Sequence, residues 1–184
     1  MAWPWGVGRR TMGGSSDRGR AVHRFCSGLV LLALCLATPG AAAESGRFAV
    51  TITQNGSWEG FEIGHRHWVW IARRSGTFEG DGILHGMTQT CVSNGNTLFG
   101  ASVATAHCVK VDADGDHIFE TSTETGDWVR GGRGGTGSGT FTGGTGKYAR
   151  IRGAFEIERK VGPRDEAARS WTDYVTVTGS WALP

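Results

Sequence analysis

The feature that most constrains this chain is a two-residue alternation of apolar and polar side chains that runs through its C-terminal three quarters. In Phe48, Val50 and Ile52 the apolar residues alternate with polar or small ones, and the same parity holds across residues 149–160 and 170–182. This alternation is typical of β-strands with one buried face. Helical signals are nearly absent, so the sequence predicts an all-β fold.

Glycine-containing turns divide the alternating region into short segments. We place eight strands at about 46–54, 65–74, 82–91, 100–112, 116–123, 136–142, 149–160 and 170–182, with turns at Asn55-Gly56, Asp81-Gly82, Asn94-Gly95 and Asp114-Gly115. Consecutive antiparallel strands that no helix covers must close or form a sandwich, because open edges aggregate. The sequence therefore predicts a closed eight-stranded antiparallel β-barrel, which is wide enough to be filled by side chains or to hold one small ligand.

The first 43 residues are predicted to be an export signal. An apolar run at Phe25–Ala37 follows several arginines and precedes the small residues Ala41-Ala42-Ala43, which is the layout of a cleavable signal peptide. Translation could start at Met1 or Met12. We expect cleavage near Ala43, export to the periplasm or the medium, and a single domain at 44–184 without a membrane span.

Charge and cysteine content narrow the functional class. Residues 44–184 carry 14 Lys and Arg against 16 Asp and Glu, so no basic field is present to attract nucleic acid. Cys91 and Cys108 are the two cysteines of this region. In an oxidising compartment an even pair is most simply a disulfide, the alternative being two buried thiols.

Three motifs suggest ligands but fail on their spacing. Gly146-Lys147 is followed by Tyr148 rather than the hydroxyl residue of a phosphate loop. Asp112–Asp116 lacks the later glycine and glutamate of a calcium-binding EF-hand, so we interpret it as a hairpin turn, with calcium as the alternative. His65 and His67 could share one strand face, but no local third ligand completes a metal site. We predict neither a metal nor a cofactor.

The candidates for lining a ligand cavity are the apolar residues that the alternation places on the inner face of the barrel. They are Phe48, Val50, Ile52, Val69, Ile71, Val103, Ile151, Phe155, Ile157, Val175 and Val177. The exported region also keeps six tryptophans, at positions 58, 68, 70, 128, 171 and 181. Tryptophans pack cores, but they also line cavities for apolar ligands.

The segment Gly143–Gly153, GGTGKYARIRG, resembles a glycine-rich stretch of plant dirigent proteins, whose barrels are similar to allene oxide cyclase. With Cys108 and the Asp112–Asp116 hairpin, the chain looks more closely like exported bacterial proteins of the allene oxide cyclase-like barrel class. The resemblance implies that barrel fold and a trimeric homo-oligomer. It also implies cofactor-free chemistry on hydrophobic substrates. No catalytic residue is carried over, because the catalytic acids of those families do not align here.

Three functions remain open. The first is a barrel that binds a small hydrophobic ligand without turnover. The second is a cofactor-free cyclase or isomerase, which needs an interior acid or base such as Glu62, Glu79, His107 or Glu156. The third is a structural envelope protein.

Overall fold

The computed structural model describes residues 43–128 and 134–184. Apart from Ala43, the predicted signal peptide lies outside the described residues. The strands are β1 (Glu44–Gly64), β2 (His67–Asp81), β3 (Thr88–Leu98), β4 (Ala101–Val111), β5 (His117–Asp127), β6 (Gly134–Gly144), β7 (Arg152–Asp165) and β8 (Ser170–Leu183). A 3₁₀ turn, Gly146–Tyr148, lies between β6 and β7. Over these ranges no helix is long and apolar enough to cross a membrane.

The eight strands form one closed antiparallel barrel, as the sequence predicted. Each strand pairs with the next along the chain. The ring closes because β1 also pairs with β8 in a continuous register from Glu44 opposite Leu183 to Ser57 opposite Ser170. Closure pairs the backbone groups of both edge strands and so removes the open edges.

Two predicted turns are wrong, because the strands run through them. Asn55-Gly56 lies inside β1 and Asn94-Gly95 lies inside β3. Both glycines face inward beside an indole: a Cβ on Gly56 would lie 2.5 Å from the Trp171 ring, and one on Gly95 would lie 2.6 Å from the Trp70 ring. These glycines leave room for tryptophan side chains and do not reverse the chain.

The predicted hairpin at Asp114-Gly115 is confirmed, and its tip is fastened to the glycine-rich corner. The Asp112 carboxylate accepts hydrogen bonds from the backbone N–H groups of Asp114 and Asp116, each at 2.9 Å. From the corner, Lys147 Nζ reaches Asp112 at 2.6 Å and Asp114 at 2.5 Å. The hydrogen bond from Lys147 is the main reason that the pKa of Asp112 falls to about 2. The positive charge that balances the aspartates of this turn therefore comes from Lys147.

The corner itself differs from the prediction in one respect. Strand β7 begins at Arg152, because the 3₁₀ turn and the residues after it occupy positions 146–151. Gly146 adopts φ 51°, a conformation that glycine reaches without steric cost, and a Cβ there would collide with the Asp116 carboxylate. The segment is thus a barrel corner, as its lack of a following helix indicated.

The interior of the barrel has two chemically different halves. The half beside the corner is an apolar core, formed by Phe48, Val50, Ile52, Phe78, Leu84, Met87, Ile118, Phe141, Tyr148, Ile151, Phe155, Ile157, Val175 and Val177. Packing there is tight: Gly139 of β6 has no space for a Cβ, because the Phe155 ring fills it. The opposite half contains charged side chains and most of the tryptophans.

Candidate functional site: a tryptophan-lined cavity

Eight of the eleven predicted cavity residues lie in the apolar core. They are Phe48, Val50, Ile52, Ile151, Phe155, Ile157, Val175 and Val177. The enclosed void beside the last four measures about 10 Å³, roughly the space that a single water needs. These residues pack against one another, and none of them lines the cavity at the opposite end of the barrel.

The inward orientation predicted for Ile71 and Val103 is wrong. Ile71 is 57% exposed and Val103 is 48% exposed, so both point away from the interior, and Val69 shares the parity of Ile71 and is only half-buried. The inward positions next to them are instead taken by Ala72 and Arg74 on β2 and by Ala104 and Ala106 on β4. Hydrophobicity alone therefore assigned the wrong face on these two strands.

A cavity of about 310 Å³ opens at the end opposite the apolar core. Its walls are the indoles of Trp58, Trp68, Trp70, Trp128 and Trp171. The other lining residues are Ala72, Arg74, Thr97, Ser102, Arg159, Arg164, Glu166 and Asp173. A cavity of this size lies at the lower end of the range for small-molecule sites, roughly 300–1,000 Å³.

The tryptophan walls are held by specific contacts. Trp70 Nε1 donates a hydrogen bond to Thr97 Oγ1 at 3.2 Å, and the Thr97 hydroxyl is 2.6 Å from that of Ser102. Trp70 and Trp128 meet edge to face, with ring centroids 5.9 Å apart. The guanidinium of Arg169 lies over the Trp58 ring at 5.6 Å. These contacts hold the rings in place before any ligand enters.

A buried ion network forms the floor of the cavity. Glu124 accepts hydrogen bonds from Arg74 Nη2 at 2.6 Å, from Arg159 Nε at 2.7 Å and from Arg159 Nη2 at 3.0 Å. Arg159 also donates to Gln54 at 2.8 Å and to Asp173 at 3.3 Å. The two guanidinium groups and two carboxylates balance one another in charge. Buried charges require such pairing.

The network holds Glu124 in its ionised form. Burial by itself raises the pKa of this carboxyl, but the charges of Arg74 and Arg159 outweigh burial and lower the pKa to about 2. Burial lowers the pKa of Arg74, and the neighbouring charge of Arg159 adds to that effect. Glu124 is therefore a fixed anion at neutral pH and cannot supply a proton.

A second buried pair, Lys110 with Glu120, lies between the floor and the apolar core. The Lys110 ammonium sits over the rings of Phe78, Phe141 and Phe155, between 5.4 and 5.9 Å from their centroids. Burial lowers the pKa of Lys110. The pair links the charged layer to the packed core.

The disulfide predicted between Cys91 and Cys108 is confirmed. Both residues are buried and lie directly opposite each other on β3 and β4. With Glu120 they form a compact group of metal-ligating residue types. The two sulfurs are bonded to each other, however, which removes the thiolates that a metal would need.

The other candidate residues from the sequence lie away from the cavity. Glu62, Glu79, His107 and Glu156 are exposed on the outer surface. His65 is exposed near the turn between β1 and β2, where it packs against the Phe99 ring, and His67 follows that turn. The interior acids are Glu120, Glu124 and Asp173. The apolar–polar alternation of the sequence did not identify them.

The fold and the site together define a closed eight-stranded barrel with an interior disulfide and a tryptophan-lined cavity above a buried ion network. Searches of protein-family models, curated proteins and solved structures found no match to this chain.

Proposed function

We propose that this protein is a binding barrel, which holds a small ligand in its tryptophan-lined cavity without turning it over. The observation that carries the proposal is the arrangement of five indoles around about 310 Å³ of open space. The apolar core at the other end is tightly packed, so the open space at this end does not result from loose side-chain packing throughout the barrel. Aromatic walls with a few polar groups are typical of small-molecule sites.

Binding without turnover is favoured by the charges of the floor. General acid–base catalysis needs a group that exchanges a proton near the working pH. Glu124 is held as an anion with a pKa of about 2, and Arg74 and Arg159 are committed to it by hydrogen bonds. These groups are suited to a fixed electrostatic floor.

Fluorescence titration with the neutral dye N-phenyl-1-naphthylamine tests the proposal. We expect the purified protein to bind the dye, and Trp68→Ala to weaken binding several-fold because it removes one wall. Trp181→Ala is the matched control, since Trp181 packs against the apolar core, and it should leave the dye affinity unchanged. Absence of dye binding, or equal effects of the two variants, would contradict the proposed cavity function.

One observation favours a cofactor-free cyclase or isomerase as a second candidate. Asp173 lines the cavity and is 4% exposed, and its Oδ1 has no hydrogen-bond partner within the protein. A carboxyl group among the lining residues is the kind of general base that such a reaction needs. Such an activity agrees with the resemblance to allene oxide cyclase-like barrels. Recovery of every bound small molecule chemically unchanged after prolonged incubation would exclude it.

Export and self-association are further parts of the proposal. The interior disulfide supports export, because such bonds persist in oxidising compartments, and N-terminal sequencing of the mature protein would locate the cleavage site near Ala43. A homo-oligomer is supported by exposed apolar residues on the outer surface. Val109 pairs with Phe119, and Val92 lies diagonally across from Val109; these residues are 37%, 37% and 44% exposed. A monomer in light scattering at all concentrations would contradict it.

A further inference from the structure

Two neighbouring turns at the cavity end of the barrel expose large apolar side chains. One turn joins β1 to β2, and the other joins β3 to β4. Among the described residues, four of the eleven exposed large apolar side chains belong to these turns and the strand ends beside them. They are Phe61, Ile63, Leu98 and Phe99, which are 65%, 53%, 46% and 60% exposed. We call this group the apolar tip.

Direct contacts join the two turns. The Phe99 backbone N–H donates a hydrogen bond to the Arg66 carbonyl oxygen at 3.0 Å. The Arg66 guanidinium lies over the Phe99 ring, 5.6 Å from its centroid, and the His65 ring meets the same ring edge to face at 6.1 Å. On the strands behind the turns, His67 pairs with Leu98. The two turns therefore form a single tip.

The second turn carries a phenylalanine where hairpin chemistry favours asparagine. Phe99 and Gly100 are the two residues between β3 and β4, and their φ angles are 52° and 97°. Two-residue hairpin loops with positive φ at both positions favour Asn-Gly, because a bulky side chain is strained in that conformation. The phenylalanine ring is also left in water. Folding alone therefore does not account for Phe99, which indicates that its ring contacts something outside the chain.

The apolar tip projects beyond the rim of the barrel. Strand β1 pairs with β8 as far as Ser57, but it pairs with β2 as far as Gly64. Residues 58–64 therefore extend past the last β8 partner, which at about 3.3 Å per residue is roughly 20 Å along the strand. Trp68 of the same hairpin lines the cavity, so the tip and the cavity lie at the same end of the molecule.

The size and shape of the tip favour a lipid surface over a protein partner. Side chains of this kind present roughly 200 Å² each, so the exposed parts of the four leave roughly 400 Å² of surface in water. An exposed apolar patch of this size marks an interaction site, but each partner in a stable protein complex contributes about 800 Å². A projecting tip also needs a matching pocket in a protein, whereas a bilayer interface accepts apolar side chains without a complementary shape.

We propose that the apolar tip inserts into the interface of a lipid bilayer and so docks the protein on a membrane. The Glu62 carboxylate accepts a hydrogen bond from the Arg66 backbone N–H at 2.8 Å, so one anion and one cation lie side by side at the tip. Insertion therefore depends on the apolar side chains and not on anionic lipid. Docking in this way brings the cavity next to the lipid. The inference goes beyond the proposed binding function and does not depend on it.

Co-sedimentation of the purified protein with phosphatidylcholine vesicles tests this inference. We expect the protein to bind the vesicles, and about 0.5 M salt, which screens surface charges, to change the binding less than twofold. Phe99→Asn should weaken binding about tenfold, the effect of withdrawing roughly half of a phenylalanine side chain from an apolar phase. The same change should not lower the unfolding midpoint, because Asn-Gly suits the turn. Tyr174→Ser is the matched control: Tyr174 is 51% exposed but lies on the barrel wall in β8, so this variant should bind like the wild type.

The outcomes separate this inference from its alternatives. No binding to the vesicles overturns it and leaves the cavity function to the dye titration. Binding that requires phosphatidylglycerol in the vesicles and is lost in high salt overturns insertion by apolar side chains. Equal effects of Phe99→Asn and Tyr174→Ser overturn the assignment to the tip. If the wild type does not bind vesicles but Phe99→Asn abolishes self-association in light scattering, the tip contacts a second copy of the chain instead. If Phe99→Asn does not fold, Phe61→Ser takes its place.

Discussion

Replacing Glu124 with Gln should destabilise the barrel strongly, because it leaves two buried guanidinium groups without their shared anion. Glu124 is 2% exposed and accepts three hydrogen bonds, two of them from Arg159. Removing one partner of a buried ion pair typically costs about 3–5 kcal/mol. The pKa gives a similar figure: a shift from 4.5 to about 2 corresponds to about 3 kcal/mol of stability at neutral pH. Urea unfolding, followed by tryptophan fluorescence, measures the difference.

Glu158→Gln provides the matched control for that experiment. The Glu158 side chain is 62% exposed and lies 3.8 Å from that of Lys160, which is 73% exposed. Exposed ion pairs contribute about 0–1 kcal/mol, so this variant should unfold close to the wild type. If Glu124→Gln costs no more than Glu158→Gln, the ion network does not stabilise the barrel and the reasoning fails.

The same carboxylate should give the protein a characteristic acid sensitivity. Because the folded-state pKa of Glu124 is depressed to about 2, its contribution is fully present above the unfolded-state value near 4.5. It is lost as the pH falls towards 2. Wild-type stability should decline through this window, and Glu124→Gln should decline less steeply. Parallel pH profiles for the two proteins would show that Glu124 does not titrate as described.

Three further perturbations test other parts of the structure. Lys110→Met alone should cost about 3–5 kcal/mol in urea unfolding, and adding Glu120→Leu should recover most of it, because both buried charges are then gone; no recovery would refute the pairing. Gly139→Ala should cost about 1–3 kcal/mol by overpacking against a core phenylalanine ring, whereas Gly64→Ala, where a Cβ meets nothing closer than 3.9 Å, should be nearly neutral. Reducing the interior disulfide should lower the free energy of unfolding by about 3 kcal/mol, as loop-closure entropy predicts, and an unchanged unfolding midpoint would contradict this.

The fold was predictable because its signals are local. Alternation of apolar and polar residues identified the strands, and their number required closure. The hairpin at Asp114-Gly115 lies where turn chemistry places it. Strand lengths were underestimated because Asn-Gly was interpreted as a turn at two places where the glycine instead makes room for an indole. The missed signal was an inward-facing glycine that lies opposite a tryptophan on the neighbouring strand of the sheet.

The candidate site was less predictable, because its residues come together only through long-range pairing. Glu124 lies 50 residues along the chain from Arg74 and 35 residues from Arg159. On β5, threonine and glutamate alternate, so both faces look equally polar and hydrophobicity cannot show that Glu124 points inward. The tryptophans were recognised as a group, but no local pattern showed that five of them meet at one end.

The β1–β8 seam also bears on how the chain reaches its native state. Seven of the eight strand pairings join neighbours in sequence, and only the seam joins residues as distant as Glu44 and Leu183. Local hairpins form quickly, whereas a pairing over such a span waits until the intervening chain is ordered. Until the seam forms, β1 and β8 are open edges that can pair with another molecule. The interval before closure is therefore the period of greatest aggregation risk, and slowing synthesis or adding a chaperone should help most at that step.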